Sequence, residues 1–428
     1  MNRKLWSWFS LLLIASLMLS ACGGAATPAA LEPESAAQPE ATNPPAAASA
    51  ITLIEWDYLN SGASSDAWGS LVAGCATEVG VTIERQTVPR NELITNVLLA
   101  AQQQQMPDIL MIDNPDLQEV AATGALVPLT DHGVELTGLY ENLLDAGTYD
   151  GKVYGIAAGI NGMALWYNKD LLEKAGAQPP TTWAEVKDAA AKLTTDGVYG
   201  IAFSAPATEE GSWQFEPWFW GAGGDLSKLD SPEGIQALQF WTDLVKDGSA
   251  SESVVQWTQG DVNDQFLAGT AAMQQNGVWN LGAIEASGIN FGIVPIPMVN
   301  GGAAPGPMGG EVLTLPKSDS PEKMAAAGKV INCLLSDENM LAWANMNAYI
   351  PARISVAEQV AKDRPNMAPF VEAAAAERSR PGPPANLGPN YSKVSQPLWN
   401  AIQAALTGAK TPEQALKDAQ QEAESAMQ

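Results

Sequence analysis

From Ile51 onward, hydrophobic positions follow two spacings in turn. "ITLIEWDYLN" reads as a buried strand around Ile51 and Leu53 that closes in the turn residues "NSGASSD". "SSDAWGSLVAGCATEVG" spaces its apolar residues as a helix does, with Ser65 or Asp66 expected as its cap and Gly80 as its stop. "VTIERQTVP" predicts a second strand, "NELITNVLLAAQQQQMP" a second helix and "PDILMID" a third strand. Strands that alternate with helices predict parallel crossovers, and so an α/β lobe.

The alternation continues downstream. "GKVYGIAAGINGMALWYNKDLL" reads as two extended runs entering a helix, and "GVYGIAF" as another buried strand. "TTWAEVKDAAAKL" opens with the capping-box spacing Thr182 to Glu185, in which the two side chains satisfy free amides at a helix start. "SPEGIQALQFWTDLVKDG" is an amphipathic helix beginning after Ser231-Pro232. "DVNDQFLAGTAAMQQNGVW" predicts helix, turn and strand, and "INFGIVPIP" a strand that prolines end. Helical patterns close the chain in "SPEKMAAAGKVINCLLSDENMLAWANM" and "TPEQALKDAQQEAESAM". The sequence has no internal repeat.

The first 50 residues break this pattern. A basic tip at Arg3 and Lys4 precedes an apolar run from Leu5 to Leu19. That run is shorter than the roughly 20 residues a spanning helix needs, and small residues follow it, so residues 1–21 read as a secretion signal. Leu19-Ser20-Ala21-Cys22 resembles a bacterial lipobox, in which Cys22 takes lipid and becomes the mature N-terminus. The alternative is an ordinary signal with a chance cysteine. Residues 22–50 are rich in Ala, Pro, Glu and Ser and poor in large apolar groups. Such a segment buries too little surface to offset its ordering entropy, so an extended, disordered tether is expected.

Composition narrows the chemistry. The formal net charge is -26, which excludes nucleic acid as a partner, because phosphate binding needs a basic face. The single histidine, His132, lies in "LTDHGVEL" with no metal-ligand partner nearby, so histidine triads and multi-histidine metal sites are excluded. There is no G-x-S-x-G and no P-loop, and "GAGGD" has the wrong spacing for a dinucleotide loop and reads as a plain turn. No cofactor is expected.

Eight motifs in order carry a more specific signal: "MPDILMID", "GKVYGIA…MALWYNKDLLEKAG", "PPTTWAEV", "FLAGTAAMQQNGVW", "FGIVPIP", "GGEVLTLPKSDSPEK", "YIPAR" and "TPEQALKDAQ". With them the chain resembles the extracellular solute-binding proteins of ABC importers, in the sugar-binding group that includes maltose-binding protein. The resemblance implies an α/β, two-lobed, periplasmic-binding-protein-like fold with crossing hinge strands and extra C-terminal helices. It places lobe one at about 51–158 plus 306–358 and lobe two at about 159–305 plus 359–428. Ligand would bind in the cleft between them, and hinge closure would need contacts from both lobes. A monomer anchored outside the cytoplasmic membrane through lipid, handing its ligand to membrane permease subunits, is the implied assembly.

A sugar is polar at its edges and apolar on its ring faces, so its site needs aromatic platforms together with carboxylates and amides. Trp241, Trp343, Trp399 and Trp183 lie on or at the start of amphipathic helices and are expected in cores. Trp56, Tyr58 and Asn60 emerge at the carboxyl end of the first strand, where ligands of open α/β sheets sit, and Asp113 and Asn114 emerge likewise after "PDILMI". By the resemblance, Trp279 is the sugar-stacking position, and Gly309, Gly310 and Glu311 lie where the chain returns to lobe one. Asn161 falls in the crossing segment "AAGINGM" and Tyr391 in the loop "GPNYSK". "GSWQFEPWFWGAGG" reads as a loop segment with turn residues at both ends, from which Trp213 and Glu216 are expected at the ligand and Trp218 and Trp220 in the core. For each of these a packing, capping or solvated role is the alternative.

Cys75 and Cys333 are the pair left once Cys22 is lipidated. By the resemblance both belong to lobe one, on neighbouring helices, at positions where relatives carry core-facing aromatics. A disulfide between them is expected, since the compartment is oxidising; two buried free thiols are the alternative. Beside the sugar receptor stand two other classes, a secreted glycosidase and an anchored receptor for polyamines, peptides or metal. Tryptophan-rich clefts with paired carboxylates serve glycosidases too, but no separate catalytic architecture appears, so a non-enzyme is expected.

Overall fold

The computed structural model of the protein describes residues 51–428. The expectations for the signal 1–21, for lipid on Cys22 and for the tether 22–50 lie outside the described residues. Among the described residues, no helix is long and apolar enough to cross a membrane.

The chain forms two lobes. Strands β1 (Thr52–Asp57), β2 (Thr82–Thr87) and β3 (Ile109–Asp113) alternate with helices α1 (Gly62–Val79) and α2 (Arg90–Gln103). After a short hairpin of β4 (Thr148–Tyr149) and β5 (Lys152–Val153) come β6 (Gly155–Ala157), β7 (Gly159–Ile160) and β8 (Met163–Asn168). Then follow β9 (Met273–Gly277), β10 (Phe291–Val294), β11 (Glu311–Thr314) and β12 (Ile350–Pro351). The larger sheet has the order β2-β1-β3-β11-β6. Its first three strands are parallel, as their helical crossovers require; β11 is antiparallel to β3 and β6 because the chain returns to this lobe from the other side. The second sheet, β10-β8-β9, is antiparallel throughout.

Strand alternation buries Leu53, Glu55 and Asp57 on one face of β1, while β3 is buried on both faces as a central strand should be. The Val97, Leu110, Val312 and Ile331 side chains join this core with no exposed surface. Cys75 on α1 and Cys333 on the helix Pro321–Leu334 are joined by a disulfide, with Cα atoms 5.7 Å apart. The second core is aromatic. Phe240 lies 4.8 Å from Trp183 and 5.0 Å from Trp218 between ring centroids, and Phe203 lies 4.2 Å from Trp241. The helices Ser392–Leu406 and Pro412–Met427 cover it with Leu398, Ile402 and Leu416.

Segments passing between the lobes are tied edge to edge. β7 pairs antiparallel with β12, Asn161 bridges Gly309, and Pro307 bridges Arg378. These pairings are only one or two residues long, the kind of connection at which a hinge absorbs rotation.

Several local expectations are corrected. α1 begins at Gly62 with Ser61 as N-cap, so Ser65 and Asp66 lie inside the helix. Thr182 does cap its helix through the Glu185 amide, but the Glu185 carboxylate accepts from the Thr181 amide and hydroxyl, one residue further out than a capping box places it. "GVYGIAF" makes isolated bridges to Ala271 and Gln274 instead of a regular strand. Gly200 sits there so close to Ala190 that a Cβ would fall 1.9 Å from the carbonyl oxygen, so the segment bends around the helix end. The largest correction is "GSWQFEPWFWGAGG", which belongs to an α-helix, Glu209–Gly221, and not to a loop. Every residue from Gly211 to Gly221 is buried; a helix apolar on all sides belongs in an interior.

Candidate functional site

Lobe one builds a wall of hydrogen-bonding groups at its strand ends. Asp57 holds Arg85 through both carboxylate oxygens, at 2.6 and 2.9 Å, which fixes the turn after β1 and aims Tyr58 at β11. The Tyr58 hydroxyl donates to Glu311 Oε1 at 2.9 Å, and the Tyr349 hydroxyl donates to the same oxygen at 3.1 Å. Burial raises the Glu311 carboxyl above its usual range despite the Tyr58 hydrogen bond. At the end of β3, Asp113 accepts from Arg90 Nη2 at 2.6 Å, Arg380 Nη2 at 3.0 Å and the Asn114 amide at 2.9 Å. Burial alone would push Asp113 up, but Arg380 and Arg90 outweigh it and hold the carboxylate below its ordinary range.

Between these groups runs Gly309-Gly310. Gly310 has φ +115°, and a Cβ there would lie 2.7 Å from the Gly159 carbonyl oxygen of the crossing segment. Only glycine lets the two backbones approach this closely. Asn161 exchanges backbone hydrogen bonds with Gly309, at 3.3 and 3.1 Å.

Lobe two builds an aromatic wall. β9 ends at Gly277, and the Trp279 ring folds back directly over it, so that a Cβ at 277 would sit 2.0 Å from the ring. The helix Glu209–Gly221 brings Trp213 beside it, with ring centroids 5.6 Å apart and a 32° tilt. The buried Trp213 Nε1–H has no acceptor within the protein. Glu210 and Gln259 complete this side.

The two walls face each other across a cavity of about 270 Å³. Of the residues expected at a ligand, Tyr58, Asp113, Asn161, Trp213, Trp279, Gly310 and Glu311 line it. Five do not. Trp56 lies on the opposite face of β1 from the buried Asp57, and its indole donates to Gln86 on β2. Asn60 is exposed beside Ser61. Asn114 is buried behind the wall, where its amide holds the Met308 and Gly310 carbonyls and so positions the glycine pair. Glu216 is fully buried under Tyr391, whose hydroxyl donates to it at 3.0 Å, and burial drives its carboxyl well above the usual range. Tyr391 is also buried and donates to Glu209 at 2.6 Å, facing a neighbouring cavity.

Sequence reasoning missed Arg90, Glu210, Gln259, Asn347, Tyr349 and Arg380, all in the lining. Tyr349 opens the quoted motif "YIPAR", and Arg380 is one of few basic residues in a proline-rich stretch; both signals were present. Arg90 sits at the first position of α2, where a helix start gives no hint of a ligand role. Among the described residues, no group of three or more His, Cys, Asp or Glu side chains is placed to hold a metal ion.

Residues 70–369 match the bacterial extracellular solute-binding protein family, and this chain belongs to it. It is similar to the maltose-bound MalE3 of T. maritima, at 26% identity and a TM-score of 0.78 over 88% of this chain and 99% of that one. It is similar also to an ABC transporter solute-binding protein from Thermotoga lettingae bound with alpha-D-tagatose, at 27% identity and a TM-score of 0.76 over 87% and 99%. The sn-glycerol-3-phosphate-binding periplasmic protein of Rhizobium meliloti is 26% identical, over 74% of this chain and 78% of that protein.

Proposed function

We propose that this protein captures a sugar in the cavity between its lobes and delivers it to the membrane subunits of an ABC importer, while lipid on Cys22 holds it outside the cytoplasmic membrane. One observation carries the reading: the tilted pair Trp213 and Trp279 faces the cluster Tyr58–Glu311–Tyr349 across one cavity. An aromatic pair covers the apolar faces of a pyranose or ketose ring, and hydroxyl and carboxyl groups take its edges. The buried Nε1–H of Trp213 and Nε–H of Arg380 are donors the protein leaves unpaired at this site, as a hydroxyl-rich ligand requires. The sugars bound to the two thermophile structures support the same class.

A phosphate ligand fits less well, because Arg90 and Arg380 are both committed to Asp113. Hydrolysis fits less well too. Of the carboxylates in the lining, Asp113 has both oxygens held by arginines, Glu311 accepts from Tyr58 and Tyr349, and Glu210 accepts from Ser204 and Gln259. The seven sequence-derived residues that line the cavity belong to this proposal, as do the lobe boundaries and the monomeric state.

Calorimetry with a panel of mono- and oligosaccharides, glycerol 3-phosphate and polyamines tests it. A sugar should bind saturably and be recovered unchanged, and Trp279→Ala should weaken it about tenfold or more. Binding confined to glycerol 3-phosphate or a polyamine, or release of hydrolysis products, would overturn the reading. The Cys22→Ala protein should move from the membrane to the soluble fraction.

A further inference from the structure

Next to the sugar cavity lies a second chamber of about 500 Å³. The two share Tyr58, Arg90, Asp113 and Glu210 as a partition. Beyond it, Leu93 and Ile94 of α2 face Ala207, Tyr391 and Trp399 from lobe two. Trp399, expected in the core, is only half-buried and borders this chamber.

The charged groups shared with the sugar cavity, and Glu209 beside them, are already engaged. Asp113 holds two arginines. Glu209 accepts from Arg380 at 2.7 Å and from the Tyr391 hydroxyl at 2.6 Å, and also takes Ser395. Glu210 accepts from the Ser204 hydroxyl at 2.7 Å and the Gln259 amide at 2.6 Å. Burial, with Asp113 and Glu209 nearby, pushes the Asp116 carboxyl up to about 8, so it is uncharged at neutral pH. What the chamber offers an occupant is hydrocarbon and aromatic surface. The sugar cavity differs, since it keeps buried donors unpaired on Trp213 and Arg380. Arg90, whose side chain is 53% exposed, forms the solvent-facing part of the partition.

From this contrast we infer that the ligand is amphipathic: a glycoside whose sugar sits between Trp213 and Trp279 and whose apolar aglycone enters the chamber bordered by Leu93, Ile94 and Trp399. The inference rests on the sugar reading above and narrows it. An aglycone attached through a glycosidic oxygen extends from the ring edge, so one ligand can fill two adjoining chambers of opposite character. Trp399 then acts as a specificity residue for the aglycone and has no contact with the sugar.

The test compares matched pairs by calorimetry: glucose, galactose and maltose against their 4-nitrophenyl α- and β-glycosides. In at least one pair the aryl glycoside should bind about tenfold or more tighter than the parent sugar, as burial of an aromatic ring predicts. Trp399→Ala and Ile94→Ser should each remove most of that gain and leave the parent sugar's affinity within about twofold. Using two variants guards against a folding defect in either, checked by melting temperature. If parent sugars bind and no aryl glycoside gains, the aglycone chamber is refuted and the sugar site stands. If both variants weaken parent and glycoside alike, the chamber is structural and the inference also fails. Failure of every pair to bind removes the sugar reading itself, and the inference with it.

Discussion

The two lobes solve the packing problem in different materials, and the site inherits the difference. Lobe one has a largely parallel sheet whose strand ends hold charged groups in place: Glu55, Asp57, Asp113 and Glu311 are all buried there. Lobe two has a small antiparallel sheet under a mass of aromatic rings, with Phe240 against Trp183 and Trp218 and with Trp241 against Phe203 and Phe215. Across the cavity, lobe one therefore presents carboxylates and hydroxyls, and lobe two presents Trp213 and Trp279. A sugar ring needs both kinds of surface, and the tilted indole pair is supplied by lobe two while the Tyr58–Glu311–Tyr349 cluster is supplied by lobe one. Recognition divided in this way couples binding to closure, because full affinity exists only when the two walls meet on one ligand.

The largest expected effect comes from breaking the joint between the two regions. Arg380, 1% exposed, bonds Asp113 of lobe one and Glu209 of lobe two. Arg380→Met leaves both carboxylates near the joint without their shared cation. Removing one partner of a buried ionic cluster costs about 3–5 kcal/mol. Urea unfolding should show a loss of that order, partly recovered by adding Glu209→Gln. A loss below about 1 kcal/mol would mean that Arg90 alone suffices for Asp113 and that the lobes are not joined ionically.

Next in size is the covalent brace that only lobe one possesses. The bond between Cys75 and Cys333 closes a loop of 258 residues in sequence. Cys75→Ser/Cys333→Ser should lower stability by about 2–4 kcal/mol, and sugar affinity should hold, because both cysteines lie far from the lining. Thiol counting on denatured, unreduced protein should find neither cysteine reactive. Two reactive thiols would remove the brace from the comparison.

Smaller again is the aromatic wall itself. Trp213→Ala should weaken sugar binding by about 1–3 kcal/mol through the lost platform, with a similar loss for Trp279→Ala, and the double variant should lose less than the sum because the rings touch. Strict additivity in calorimetry would show that the two rings act on the ligand independently.

These effects also show what could be read beforehand. The parallel start of lobe one was legible because each strand and helix carries a clean hydrophobic period and a turn signal. The ends of β1 and β3 identified Tyr58 and Asp113, since a strand's last residues project toward the cleft. Trp56 failed for a local reason: position parity on β1 assigns it to the other face. The helix Glu209–Gly221 was hidden because its buried polar residues Ser212, Gln214 and Glu216 alternate with aromatics around Pro217 and leave no amphipathic period to detect. Arg380 and Tyr349 stand in recognisable stretches of sequence, but their partners do not follow from those stretches. They meet Asp113 and Glu311 only through tertiary contacts between segments far apart in sequence.

The smallest effect separates the two cores by their response to pH. Glu55 is buried on β1, with Trp68 Nε1 donating to Oε1 at 3.1 Å and Oε2 unpartnered. Burial, reinforced by the neighbouring Asp57, pushes its carboxyl up to about 8, with Trp68 and Arg85 acting in the opposite direction. The unfolded value is 4.5. Below it both states hold the proton and folding has no cost from this group. As pH rises toward 8, the unfolded chain releases the proton and the native chain keeps it, so stability falls with rising pH and the loss is complete above the folded value. Local relaxation around the buried carboxyl reduces this to a swing on the order of 1 kcal/mol between pH 5 and pH 8. Glu55→Gln keeps an acceptor for Trp68 and cannot ionise. Its stability should be flatter across that window, and it should exceed the wild type at pH 8. The partner experiment is the control: Phe240 packs against Trp183 and Trp218, while lobe two's buried carboxyl, Glu216, sits under Tyr391, so Phe240→Leu should lower stability by the same amount at both pH values. If Glu55→Gln leaves the wild-type pH slope unchanged, the charged character assigned to lobe one's core has no bearing on its stability.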